Sequence, residues 1–203
     1  MAELTAADVE EFTGGRLADD SGSGLTTDML NAALAAARRY VGWHVSPARV
    51  ADEVIIDGPG SRILYLPTRK LNELVSVDED GTTIDPATKL RWSAGGPPGA
   101  LNRPVAVRKR SDGWWNCHYQ SITVVMDHGY TEAEAADWRY AVLSMVNQMG
   151  MVTSGVSEDM LIRKQVDDVT LAYASPFSAV ADDAVGSVSH ILSDFALPVI
   201  EFM

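Results

Sequence analysis

The residues that could coordinate a metal ion are few and scattered along the chain. The soft or borderline ligands of the central region are His44, Cys117, His118 and His128, and no CxxC or HExxH pair joins any of them. Cys117 and His118 are sequence neighbours, so on a strand their side chains would point to opposite faces. The spacing therefore predicts no metal site and no bound cofactor.

Nucleophilic catalysis needs a serine or cysteine next to a base, and the base next to an orienting group. The stretch "MDHGY" places Asp127 beside His128, but no GxSxG motif accompanies it. Adjacent residues of a strand face opposite ways, and Gly129 is typical of a turn that leads into a helix. A hydrolase centred on Asp127 and His128 is one alternative function, but the pattern favours a protein that is not an enzyme.

The sequence contains only weak signals for phosphate binding or sugar binding. "GSGL" and "GPGSR" lack the lysine and the strand–helix context of a phosphate-binding loop. Trp114, Trp115 and Tyr119 could stack on sugars, so a carbohydrate-binding module is a second alternative. The simpler interpretation is that one tryptophan points into the core and the other outward, towards an interface.

Composition describes a globular protein without strong affinity for nucleic acid. The 203 residues are 46% hydrophobic, and the formal net charge is −12. Residues 1–48 carry three basic and seven acidic side chains, residues 49–130 ten of each, and residues 131–203 three and eleven. Phosphate neutralisation needs clustered Lys and Arg, and the one basic cluster is "RPVAVRKR" at 103–110.

Features of localisation agree with a protein of the cytoplasm. A lone cysteine cannot form an intramolecular disulfide, which fits a reducing compartment. The N-terminus is acidic and has no apolar region of a signal peptide, and no apolar run reaches the roughly 20 residues of a membrane span.

Three helices and a sheet insert should position all these residues. Apolar periodicity and capping signals, such as Thr5 with Asp8 and Thr131 with Glu134, predict helices at 4–14, 26–42 and 132–150. Between the second and third, residues 49–130 read as short strands separated by turn signals. The predicted strands are 52–56, 62–66, 72–78, 82–84, 89–93, 104–109, 114–119 and 121–127.

The predicted fold is α+β, with a small antiparallel sheet inserted into a helical bundle. Residues 1–150 form the core in this prediction, and residues 151–203 form an extended C-terminal arm with a helix at about 176–196. The chain ends in the apolar stretch "LPVIEFM". Chain ends are usually polar and frayed, so this apolar end indicates docking onto the domain itself or onto a partner.

The order of these segments resembles the head-to-tail connector, or adaptor, proteins of tailed bacteriophages. The resemblance covers about residues 4–150 and includes two helices with the aromatic exit "RRYVGWHVSP", then "ILYLPTRKLNELVSVDEDGTTID", a Trp-containing region, and "ITVVMDHGY" leading into a helix. A proline often expected after "GY" is absent, and Thr131 caps instead.

The resemblance implies a structural virion protein without catalytic residues. Such proteins form a ring, commonly of twelve copies, between the capsid portal and the tail, and they extend the channel through which genomic DNA passes without specific binding. Expected partners are further copies of the chain, the portal, and a stopper or tail-completion protein; a stopper or tail-completion protein of the same neck is the nearest alternative identity. The chain would reside in the host cytoplasm during assembly and in the virion neck afterwards.

Two groups of residues are candidates for these contacts. A ring needs two different faces on each subunit, and the basic cluster is a candidate for one of them. The subunit-interface hypothesis names Arg103, Arg108, Lys109, Arg110 and Trp114. The portal-docking hypothesis names Ile191, Leu192, Phe195, Leu197, Ile200 and Phe202.

Overall fold

The fold combines five helices with two small antiparallel sheets in the described part of a computed structural model, which covers residues 3–18, 24–98, 104–155 and 176–198. The helices are α1 (Ala6–Phe12), α2 (Leu25–Val41), α3 (Pro86–Lys89), α4 (Ala136–Gly155) and α5 (Pro176–Ser193). The strands are β1 (Arg49–Ile56), β2 (Leu64–Tyr65), β3 (Leu71–Glu79), β4 (Thr82–Ile84), β5 (Leu90–Trp92), β6 (Ala106–Lys109) and β7 (Ile122–His128). This mixture confirms the α+β prediction.

Contacts divide the chain into two compact units. The sheet unit takes Val41–Ala136 and Asp194–Met203, and the helical unit takes Ala2–Tyr40 and Asp137–Ser193. The predicted division into a core of 1–150 and an arm of 151–203 stays a prediction, and residues 156–175 of that arm lie outside the described part.

The sheet unit encloses one hydrophobic core between two sheets. Four strands pair in the order β1-β7-β3-β4 and three in the order β2-β6-β5, all of them antiparallel. Alternate residues of β7 face inward, and its Ile122, Val124 and Met126 are buried. They pack with inward residues of the other sheet such as Leu90 and Val107.

The helical unit buries one apolar stripe on each long helix. In α2, Leu30, Ala33, Leu34 and Ala37 recur at helical spacing and are buried, as the periodicity predicts. Buried residues of α4 include Trp138, Val142, Met145 and Met149, and those of α5 include Ala184, Val188 and Leu192.

Polar side chains at the surface also connect these helices. Arg39 of α2 pairs with Asp182 of α5, and Ser187 Oγ of α5 donates to Gln148 Oε1 of α4 at 2.8 Å. Packing of these helices as a bundle stays a prediction.

Two capping boxes form where the sequence predicts them. Thr5 Oγ1 accepts from the Asp8 amide while the Asp8 carboxylate accepts from the Thr5 amide, and α1 begins at Ala6. Thr131 and Glu134 make the same exchange, but the turn that they close precedes α4, which begins only at Ala136.

Two local predictions are wrong. Residues 114–119 form a loop rather than a strand, because their backbone bonds go to the turn at 58–61: the Gly60 amide donates to the Asn116 carbonyl and the Trp115 amide to that of Ser61. Gly150 does not end the third long helix, which continues to Gly155. Its missing Cβ instead makes room for Leu17, whose Cδ1 would lie 2.7 Å from that atom.

Candidate interaction surfaces

The two basic residues of strand β6 point to opposite faces of the sheet. Val105, Val107 and Lys109 occupy alternate positions and share the inward face, whereas Arg108 is exposed. The Lys109 ammonium lies 2.5 Å from Glu79 Oε2 and 4.7 Å from the centroid of the Trp115 ring. It also donates to the Trp114 carbonyl at 2.9 Å. Lys109 is therefore held by its own chain.

The other basic residues of the cluster remain near the surface. Arg110 is exposed, and its Nε donates to the Leu90 carbonyl at 2.8 Å. Arg108 lies directly opposite Arg91 of β5, which places a second guanidinium beside it. Arg103 lies outside the described residues. The part that these residues play between subunits stays a prediction.

An open groove of about 560 Å³ runs beside this strand. Its lining includes Ile84, Thr88 and Arg110 together with the Lys109–Glu79 pair. That ion pair satisfies the charges of Lys109 and Glu79, so these two side chains offer no unpaired charge to a small ligand.

The paired tryptophans separate as the sequence predicts. Trp115 is 1% exposed and belongs to the core of the sheet unit, whereas Trp114 is 63% exposed. The Arg62 guanidinium lies 6.0 Å from the centroid of the Trp114 ring, at the limit of a cation–π contact. Since Trp115 is inside, a stacking platform made of both tryptophans and Tyr119 cannot form.

Asp127 and His128 point to opposite faces of β7, which confirms the prediction from strand geometry. Asp127 Oδ1 accepts from the Ala51 amide at 2.7 Å, while the buried His128 uses Nε2 to contact Asp52 Oδ2 at 2.8 Å. The hydrogen bond from His128 holds the pKa of the Asp52 carboxyl below its usual value. The sequence gives no signal for this partner, because Asp52 lies 76 positions away on a bulged part of β1.

No group of three or more His, Cys, Asp or Glu side chains is arranged to hold a metal ion in the part of the chain that the structure describes. Within the same residues, no helix is long and apolar enough to cross a bilayer.

The C-terminal residues named for docking lie partly inside the protein. Leu192 and Phe195 are buried, whereas Ile191 and Leu197 are half-buried; Ile200 and Phe202 lie outside the described residues. The ring of Phe195 packs edge-on against Tyr130 at 5.9 Å between centroids. Docking by this segment stays a prediction.

Hydrogen bonds to the backbone of this segment hold it within the sheet unit. The Phe195 carbonyl accepts from Trp43 Nε1 at 2.7 Å, and the Leu197 amide donates to the Val41 carbonyl at 2.8 Å. The buried Arg69 donates to the carbonyls of Asp194 and Ala196. The segment 194–197, called here the C-terminal anchor, is therefore an integral part of the sheet unit.

A solved structure shares this fold over nearly the whole chain. It is a chain of the structure described as "Neck of empty GTA particle computed with C6 symmetry", with a TM-score of 0.58 and 12% sequence identity. The likeness covers 98% of this chain and 92% of that chain. No protein-family model and no curated protein matches the sequence. At this identity the likeness establishes a common fold.

Proposed function

We propose that this chain is a structural protein of the neck of a tailed phage or phage-like particle. It forms a ring between the portal and the tail, extends the DNA channel and offers a docking surface to the next neck or tail protein. The observation that carries this proposal is the fold shared over 98% of the chain with a protein of a particle neck. A match of this extent includes the helices as well as the sheets.

Two further observations support a structural role. His128 contacts Asp52 and faces away from Asp127, and Cys117 is exposed on a loop, so Asp127, His128 and Cys117 do not share one site. The net charge of −12 would let a DNA duplex pass along the chain without strong phosphate binding.

Immunogold labelling of purified particles tests this proposal. An antibody against the chain should label the head–tail junction, and cryo-electron microscopy should show the fold in ring density at that position. Contact with the portal identifies the adaptor layer, whereas contact with only the next ring identifies a stopper or tail-completion protein. Particles that lack the chain, or label confined to the tail tip or capsid faces, contradict the proposal.

A further inference from the structure

The outer face of the three-stranded sheet is basic. Arg91 and Arg108 are direct cross-strand partners, and the Arg110 amide bonds the Lys89 carbonyl at the end of the same ladder. All four side chains are exposed. Like charges in direct opposition destabilise a sheet. Among the described residues, none of the four forms an ion pair with a carboxylate.

The outer face of the four-stranded sheet has the opposite charge. Glu53 pairs in register with Val125, and Glu73 with Asp127, so these side chains point away from the core. Asp78 lies on the same face, opposite Thr123. In the described part of the chain neither Glu53 nor Glu73 forms an ion pair with a basic side chain.

Apolar side chains occupy the middle of the acidic face. Ile55 is 55% exposed and Val75 is 46% exposed, and Val125 lies between their strands on β7. An apolar centre with a charged rim is the usual composition of a protein–protein interface. On the basic face, Tyr65 is 40% exposed and lies opposite Ala106, two positions before Arg108 in β6. Tyrosine and arginine are the side chains enriched at such contacts.

We infer that the acidic face of one copy of this chain binds the basic face of the next copy. Here the acidic face means Glu53, Ile55, Glu73 and Val75, and the basic face means Tyr65, Arg91 and Arg108. The occupant is a second copy because a single chain carries both complementary surfaces. A contact between two different faces propagates from subunit to subunit and forms a ring when the rotation between neighbours closes. The inference rests on the proposed function and adds to it the surfaces that join the subunits.

Charge reversal of each face provides the test. One variant carries Arg91→Glu and Arg108→Glu, and the other carries Glu53→Lys and Glu73→Lys. Each variant should lose self-association by roughly 100-fold in sedimentation velocity over a concentration series, because like charges then oppose each other. All four positions are exposed, so circular dichroism should report native folding for both proteins.

Mixing the two variants is the decisive measurement. In an alternating ring, each altered face would meet its altered counterpart and each native face its native counterpart, so an equimolar mixture should assemble like the wild type. The chain with all four substitutions should also assemble by itself. Glu10→Lys with Glu11→Lys in α1 is the matched control for the Glu53→Lys and Glu73→Lys variant, since it makes the same change in net charge on exposed positions of the helical unit and should leave association unchanged.

Several outcomes would overturn the inference. They are a wild-type chain that stays monomeric throughout the series, single-face variants that assemble normally, and a mixture that stays dissociated. Loss of oligonucleotide binding in the arginine variant, with assembly intact, would assign the basic face to DNA and also overturn it. None of these results depends on whether antibody finds the chain at the particle neck, so the two proposals can fail separately.

Discussion

At the scale of single residues, neighbouring charges in one strand have different physical roles. Arg108 and Lys109 adjoin each other, yet Arg108 is exposed and Lys109 is bound between Glu79 and Trp115. Strand alternation explains the difference, because Lys109 continues the inward row of Val105 and Val107. Alternation also places Glu53 on the outside of β1. Glu73 faces outward because β3 is bulged between Leu71 and Glu73, so the sequence pattern alone does not predict its position.

Glu134 should make the stability of the protein depend on pH in acid. Its carboxylate accepts from the Thr131 amide and pairs with Lys70 at 2.9 Å, and these contacts lower its pKa from 4.5 to about 2. A lowered pKa stabilises the folded state fully above the unfolded-state value, and this contribution is lost as the pH falls towards 2. Since the side chain is partly exposed, we expect about 1 kcal/mol rather than the full linkage value.

Denaturant unfolding of Glu134→Gln across a pH series measures this contribution. The variant should be less stable than the wild type by about 1 kcal/mol at neutral pH, and the two curves should converge as the pH falls below the pKa of Glu134. Glu132→Gln removes a carboxylate from the same turn without touching the cap and should show no such convergence. A difference that persists unchanged in strong acid would show that Glu134 acts only through packing.

At the scale of elements, the C-terminal anchor is held by groups that lie far from it in sequence. Arg69 precedes β3 and reaches the carbonyls of Asp194 and Ala196, 125 and 127 positions away. Burial lowers the pKa of its guanidinium, but arginine stays charged at neutral pH. A buried charge of this kind depends on its hydrogen bonds, which Arg69 here donates to backbone carbonyls just after the end of α5.

Replacement of Arg69 by methionine should release the anchor. Hydrogen bonds to a charged donor contribute roughly 1.5–3 kcal/mol, so we expect a loss of about 2 kcal/mol in the free energy of unfolding. Hydrogen exchange at the Leu197 amide should accelerate, because its bond to the Val41 carbonyl depends on the same segment. Arg62→Met, at an exposed position, is the control. Unchanged protection of Leu197 would mean that Trp43 and Phe195 hold the anchor without Arg69.

The sequence predicts the local part of this fold better than the long-range part. Both capping boxes, the 82–84 strand and the apolar stripes depend on residues within a few positions of one another, and the structure confirms them. The 114–119 loop and the anchor depend on partners that only the folded chain brings close. A glycine required for close packing, such as Gly150, also resembles a helix stop when only its neighbours are considered.

At the scale of the whole molecule, the sheet region has no net charge, but its acidic and basic side chains are separated in space. Residues 49–130 carry equal numbers of acidic and basic side chains. Glu53 and Glu73 lie on the outer face of one sheet, and Arg91 and Arg108 on that of the other. The acidic excess lies in the remaining segments. A neutral region with two complementary faces suits contact between copies better than it suits binding to DNA.

Truncation separates the two roles of the C-terminal end. Removal of residues 190–203 would take away Leu192 and Phe195, which are buried, and should lower the thermal midpoint by several degrees. Removal of 199–203 alone keeps the anchor and should leave the midpoint unchanged while it weakens portal binding, because the apolar residues removed include Ile200 and Phe202. Co-sedimentation of each variant with purified portal measures the binding.

Ile200→Ser with Phe202→Ser in the full-length chain is the matched variant that keeps chain length. Portal binding that survives both the short truncation and the serine variant would contradict a docking role for this end.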